Sequence, residues 1–186
     1  PNNGTELNAK WLLDEVGVGS DSITWIASGS TPDRLAALVA KQIDATIVAT
    51  PTDLQAAEGG DIHVVERMAD HLKDYGSVVM MASKSTLAGA RSEDMKQFIQ
   101  ATVAASAWIY DNRDEAFEVA QKYLDLKPET LKEGLNQYID GGFYTKDGNI
   151  TTDSVEFTFH LMNTYTDQKV DADPATMLDL SFLPGS

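Results

Sequence analysis

The chain has no cysteine. That absence excludes disulfides, thiolate metal ligands and cysteine nucleophiles, and it leaves the redox compartment open, because an oxidising one permits disulfides without requiring them. No apolar run approaches the roughly 20 residues needed to span a bilayer; the longest, around Ser77–Ala82, has the length of a strand. Basic residues are scarce: 14 Lys and Arg stand against 29 Asp and Glu, a net charge of −15. A phosphate backbone needs a basic stripe, so nucleic acid is excluded as a partner. An anionic membrane surface is disfavoured on the same ground. The acidic residues are spread along the chain and read as a solvated exterior.

Motifs that carry chemistry are also missing. There is no glycine-rich phosphate loop, no G-x-S-x-G and no H-E-x-x-H. His63, His71 and His160 lie too far apart for ligand spacing, so no metal is expected, and no cofactor. Asp147-Gly148-Asn149 is too short for a calcium loop. The neighbouring carboxylates Asp14-Glu15 and Glu93-Asp94 fall on helix surfaces, where general acid–base chemistry has no cleft to work in.

What is present is an alternating pattern in the first ninety residues. A helix is expected from about Thr5 to Val16, burying Leu7, Trp11, Leu12 and Val16, with Gly17 suited to its C-terminal cap. The β-branched segment Ile23–Ala27 reads as a strand, Pro32–Lys41 as a helix with proline in its first turn, Ala45–Ala49 as a strand, Thr52–Glu58 as a helix, and Ile62–Val65 and Ser77–Ala82 as strands. Alternation of this kind implies an α/β lobe with a parallel sheet. The polar stretch Asp70–Gly76 reads as a hinge crossing. After Ser83 the character is almost wholly helical. Ser92 can cap a long helix on which Met95, Phe98, Ile99, Thr102, Val103, Ser106 and Tyr110 keep a 3.6-residue period. Asn112–Glu115 resembles a capping box. Pro128 starts another helix with Leu131, Leu135 and Tyr138 on one face, and Asp153 opens the last, carrying Val155, Phe159 and Met162. Asp147–Asn149 reads as a turn and Asp179–Leu183 as a short extended tail. The expected division is 1–75 and 76–186.

In an open α/β sheet, ligands lie where strands end and helices begin. That rule selects Thr5, Ser28, Gly29, Ser30, Thr50, Pro51, Thr52 and Asp53 as ligand-binding candidates. Each also has a purely structural reading: Thr5, Thr50 and Thr52 as helix caps, Ser28-Gly29-Ser30 as an ordinary turn. Asp53 either stabilises a helix start or accepts a hydrogen bond from an amine on the ligand; its charge would weaken binding of a sulfonate or nitrate. Trp25 reads as a core residue or an aromatic lid, and Trp108 as a packing residue.

The order of these units resembles the periplasmic substrate-binding proteins of ABC importers, in the branch named for thiamine-precursor, taurine, aliphatic sulfonate and nitrate binding. The resemblance rests on Asn3-Gly4-Thr5-Glu6 leading to Leu12-Leu13-Asp14-Glu15-Val16-Gly17-Val18, then Trp25-Ile26-Ala27-Ser28-Gly29. It continues through Ala37-Leu38 with Asp44-Ala45, the proline-led helix ending in Glu58-Gly59-Gly60, and the tail bearing Ala105, Trp108, Asp111, Asn112, Glu115 and Ala116. It implies a type II periplasmic-binding-protein-like fold: a parallel-sheet lobe, here the second lobe without its first strand, followed by a helical C-terminal part returning to the other lobe. The chain, which opens on Pro1, then corresponds either to the C-terminal portion of a longer protein whose first lobe would supply half of the pocket, or to a mature chain cut at Pro1 with a reduced fold.

The function so implied is capture of a small molecule of the sulfonate, taurine, nitrate or pyrimidine class and its delivery to an ABC permease. The protein would be non-enzymatic, monomeric at full length, and periplasmic or extracellular, with a signal peptide or lipid anchor on the absent N-terminal part. The resemblance extends to pyrimidine-precursor synthases, which carry a cysteine-rich motif that this chain lacks, and the same fold also serves as a sensory ligand-binding module.

Overall fold

The computed structural model describes residues 3–72, 75–76 and 78–185. The chain divides into two compact units: Pro1–Lys73 with Phe157–Val170, and Asp74–Glu156 with Asp171–Ser186.

The first unit opens with α1 (Gly4–Glu15). Its N-cap is Asn3, whose side-chain oxygen accepts from the Glu6 N–H at 3.0 Å, satisfying one of the donors a helix start leaves open. Gly17, at φ +77°, lets the helix end, and the Val18 N–H returns to the Leu13 carbonyl at 2.9 Å. Trp11 meets Phe157 edge-on at 5.5 Å. Leu7 and Leu161 are buried, the latter to 1% exposure. Leu161 had no place in the expected Val155–Phe159–Met162 stripe, whose members are only half-buried. A polar knot adds to this packing. Asp14 accepts from the Ser20 N–H at 2.6 Å, the Ser20 hydroxyl at 3.2 Å and the Tyr165 hydroxyl at 2.8 Å. The Trp25 indole donates to the Ser20 carbonyl at 3.1 Å while its ring, 39% exposed, receives Lys10 Nζ at 5.5 Å. The unit also holds α2 (Thr31–Val39), α3 (Thr52–Ala57) and the single turn α4 (Met68–His71).

The second unit contains α5 (Lys84–Ala88), α6 (Ser92–Asp111), α7 (Arg113–Tyr123) and α8 (Pro128–Asp140), with the first residues of α9 (Thr152–Tyr165). The long period read from Met95 to Tyr110 is a single helix, though Arg91 rather than Ser92 holds the cap position. No capping box forms at Asn112. Its side-chain amide instead donates to the Trp108 carbonyl at 2.9 Å, closing the end of α6. Val103, Ala116, Leu131, Ile139 and Phe182 are buried. Arg113 ties α7 to α8 through Asn136 at 3.1 Å and Asp140 at 2.6 Å. The Asp147–Asn149 turn is present: the Asn149 N–H reaches the Asp147 carboxylate at 2.9 Å and Gly148 takes φ +73°. Asp179–Leu183 is a turn, with the Leu183 N–H on the Leu180 carbonyl at 3.1 Å, and not an extended tail.

The sheet expectation is corrected here. Among the described residues there is no strand. Ile23–Ala27, Ala45–Ala49, Ile62–Val65 and the described part of Ser77–Ala82 are connecting segments; Ser77 itself lies outside the described residues. A helix closes its hydrogen bonds within itself, whereas a strand's N–H and C=O groups need a neighbour. These short stretches find none, and much of their apolar surface stays open: Val65 is 90% exposed, Val78 79% and Met81 88%. The expected hinge crossing at Asp70–Gly76 includes Lys73 and Asp74, outside the described residues, and its first two residues complete α4. Pro1, on which the expectation of a longer protein partly rested, is also outside them.

Candidate functional site

The expected site residues fall in three places. Thr5 is the second residue of α1, half-buried. The cap there is Asn3, and among the described residues the Thr5 hydroxyl makes no hydrogen bond to either of the other two places. Ser28, Gly29 and Ser30 form the loop before α2. Gly29 sits at φ +83°, in the left-handed region that glycine tolerates best. A Cβ there would also fall 2.8 Å from the Asp33 carboxylate. Asp33 accepts from the Ser30 N–H at 3.0 Å and from its hydroxyl at 2.6 Å. These two donors hold the Asp33 carboxyl below its ordinary range. Thr50, Pro51, Thr52 and Asp53 make the entry to α3, where the Thr52 N–H closes on the Ala49 carbonyl at 2.8 Å.

One of these places is tied to the segment that leads into another by a residue that was not among the candidates. The Arg34 guanidinium donates to the Gly29 carbonyl at 3.1 Å, the Thr31 hydroxyl at 3.1 Å and the Ile47 carbonyl at 3.2 Å. One side chain thus ties the Ser28–Thr31 loop to the segment that runs into Thr50–Asp53. Its Nε is buried without a partner, and its three contacts are neutral oxygens. A planar fork with several donors in fixed directions suits such a tie better than an ammonium does. The available signal was a lone arginine one turn inside a helix that opens Ser-Thr-Pro-Asp, in a chain with few cations.

Asp53 is buried, at 9% exposure. Its Oδ2 accepts from Arg67 at 3.3 Å, and its Oδ1 is sealed from solvent with no partner. A small cavity lies in the other unit, about 30 Å³ in volume and lined by Ser106, Ile109, Tyr110, Tyr138, Ile139 and Tyr144. It has room for about one water and none of the expected site residues lines it.

Residues 1–116 match the family described as NMT1/THI5 like. The chain belongs to this family, which implies a type II periplasmic-binding fold and the binding of a small-molecule ligand. The Ser28–Ser30 loop and Thr50–Asp53 both lie within the matched residues. The family holds substrate-binding proteins of ABC importers and also precursor synthases. No curated protein and no solved structure matches the chain.

Proposed function

We propose that this chain is part of an extracytoplasmic solute-binding protein that captures a small polar organic molecule and presents it to an ABC permease, without catalysis. The observation that carries the reading is Arg34. Its three bonds hold a loop of hydroxyls and amides to Ile47, on the segment that leads to α3, in the portion of the chain that matches the family. A few fixed polar groups at one edge, with ligand closure supplying the rest, are what a solute cleft requires. On this reading Ser28, Gly29, Ser30, Thr50, Pro51, Thr52 and Asp53 contact the solute, with Thr5 at the periphery. The location is periplasmic or extracellular. The synthase alternative is less well supported, because the chain has no cysteine.

The test is thermal unfolding of the protein with and without sulfonates, taurine, nitrate and aminopyrimidines. A ligand at 100 times its Kd should stabilise by about 2.7 kcal/mol, and the solute should be recovered unchanged. Chemical conversion of the solute, or no shift with any of these classes, overturns the proposal.

A further inference from the structure

The chain carries two Asn-x-Thr triplets, Asn3-Gly4-Thr5 and Asn149-Ile150-Thr151, the minimal pattern of an N-linked glycan acceptor. The fold treats them differently. Asn3 caps α1: its side-chain oxygen accepts from the Glu6 N–H at 3.0 Å, and Gly4 and Thr5 open the helix. Residues two apart on a helix do not share a face, and Thr5 is half-buried. Asn149 lies in the helix-free stretch before α9. There Asp147, Asn149 and Thr151 are exposed, while Gly148 and Ile150 between them are half-buried. A Cβ on Gly148 would meet Val103 Cγ2 at 2.5 Å, and one on Gly76 would meet Ile150 Cδ1 at 3.1 Å. This alternation has the period of two that sets every second residue on one face. The Asn149 amide and the Thr151 hydroxyl therefore face outward together. Thr151 has a structural use, since its Oγ accepts from the Ser154 N–H at 3.3 Å. The Asn149 side chain has none among the described residues: only its backbone is bonded, to the Asp147 carboxylate at 2.9 Å and the Thr145 hydroxyl at 3.2 Å.

We propose that Asn149 is the acceptor of an N-linked glycan, added by an oligosaccharyltransferase of the class that reads an acidic residue two positions before the asparagine, here Asp147. The assignment rests on the extracytoplasmic location in the reading above, because such transfer belongs to secreted chains. The co-reactant is a lipid-pyrophosphate-linked oligosaccharide. Asn149 Nδ2 bonds to C1 of its first sugar, and the bond from C1 to the phosphate oxygen breaks. The electron pair of that bond leaves with the lipid pyrophosphate, and one Nδ2 proton passes to a base of the transferase. Asn3 is not an acceptor. Its oxygen is committed to the helix start, and Pro1 rather than an acid stands two positions before it.

The experiment incubates the folded 186-residue protein with such a transferase, its divalent metal and the lipid-linked oligosaccharide, and reads the peptides by mass spectrometry. A single glycan should appear on the peptide bearing Asn149 and none on the peptide bearing Asn3. Asn149→Gln should lose it entirely. Two further variants separate the charge from the turn. Asp147→Asn keeps a turn-forming side chain and should lose the glycan, whereas Asp147→Glu keeps the charge and should retain it. An unmodified protein, a glycan on Asn3, or undiminished modification of Asp147→Asn overturns the assignment. Thermal shift with the solute classes named above is measured on the same samples. A solute shift without the glycan overturns this inference alone. The glycan on Asn149 without any solute shift overturns the solute-binding reading and leaves the acceptor standing.

Discussion

The two units are held together by different means. In the second, apolar packing does most of the work: Val103, Ala116, Leu131, Ile139 and Phe182 are buried, against Leu7 and Leu161 in the first. The first unit relies on polar ties, the Asp14–Ser20–Tyr165 knot and the Arg34 fork. Among the described residues it also carries three buried polar atoms without partners, Asn8 Oδ1, Arg34 Nε and Asp53 Oδ1, where the second unit has Tyr110 Oη. Native folds pair nearly all such atoms, and exceptions call for a ligand, a water or a cost accepted for function. The contrast separates a unit held mainly by its apolar core from one held by polar ties.

The sharpest way to break that contrast is in the apolar core. Leu131, at 4% exposure, should cost about 2–5 kcal/mol on replacement by Ala, the usual range for a buried leucine. Phe98→Ala, on a ring that is 60% exposed, should cost under about 1 kcal/mol, since little area leaves the core. Denaturant titrations that gave the two substitutions similar costs would show that the second unit is not organised around its buried residues.

Arg34→Met tests the other side. It removes three hydrogen bonds from a charged donor, each of a kind worth roughly 1.5–3 kcal/mol. The expected outcome is a loss of solute affinity of at least about tenfold, with the helix signal in circular dichroism nearly unchanged. Unaltered affinity would mean that the tie does not organise the site.

Gly148 gives a smaller effect that separates backbone from side chain. It adopts φ +73°, and a Cβ there would lie 2.5 Å from Val103 Cγ2 and 3.1 Å from Leu183 Cδ2. Gly148→Ala should destabilise by about 1–3 kcal/mol through strain and overpacking. A thermal midpoint unchanged from wild type would show that the turn moves away freely.

What the sequence revealed divides along the same line. Helices announce themselves because their signals are local: Pro128 begins α8, Gly17 ends α1, and the period from Met95 to Tyr110 needs no distant partner. The strands could be read only as composition. Val64-Val65 and Val78–Met81 have the right residues, but a strand exists through its neighbour, and the described chain gives them none. The rule that ligands gather at helix starts selected Thr50–Asp53 and the Ser28–Ser30 loop as candidates. It could not select Arg34, because the acceptor at Ile47 lies thirteen residues away. The burial of Leu161 in place of its stripe neighbours depends on the rotation of α9, which its own sequence does not fix.

The last test is a pH titration of the polar knot in the first unit. The Ser20 N–H, then the Tyr165 hydroxyl, hold the Asp14 carboxyl below its ordinary range. Its bonds therefore stabilise the fold at pH values above the ordinary carboxylate pKa, and this contribution fades as acid protonates the group through its lowered value. Tyr165 moves oppositely. Burial, then its bond to Asp14, pushes its hydroxyl up to about 12. The neutral phenol is the donor, so its contribution is complete below pH about 10, the ordinary tyrosine value. It is lost as pH rises toward 12. Tyr165→Phe should flatten the loss of stability in both limbs, more on the alkaline side, while leaving the plateau between them only slightly lower, because Asp14 is solvent-exposed and water can replace the missing donor. Stability measured by denaturant at pH 3, 7 and 11 checks this. A variant whose pH profile overlays that of the wild type would show that the Tyr165–Asp14 bond does not tie α9 to α1.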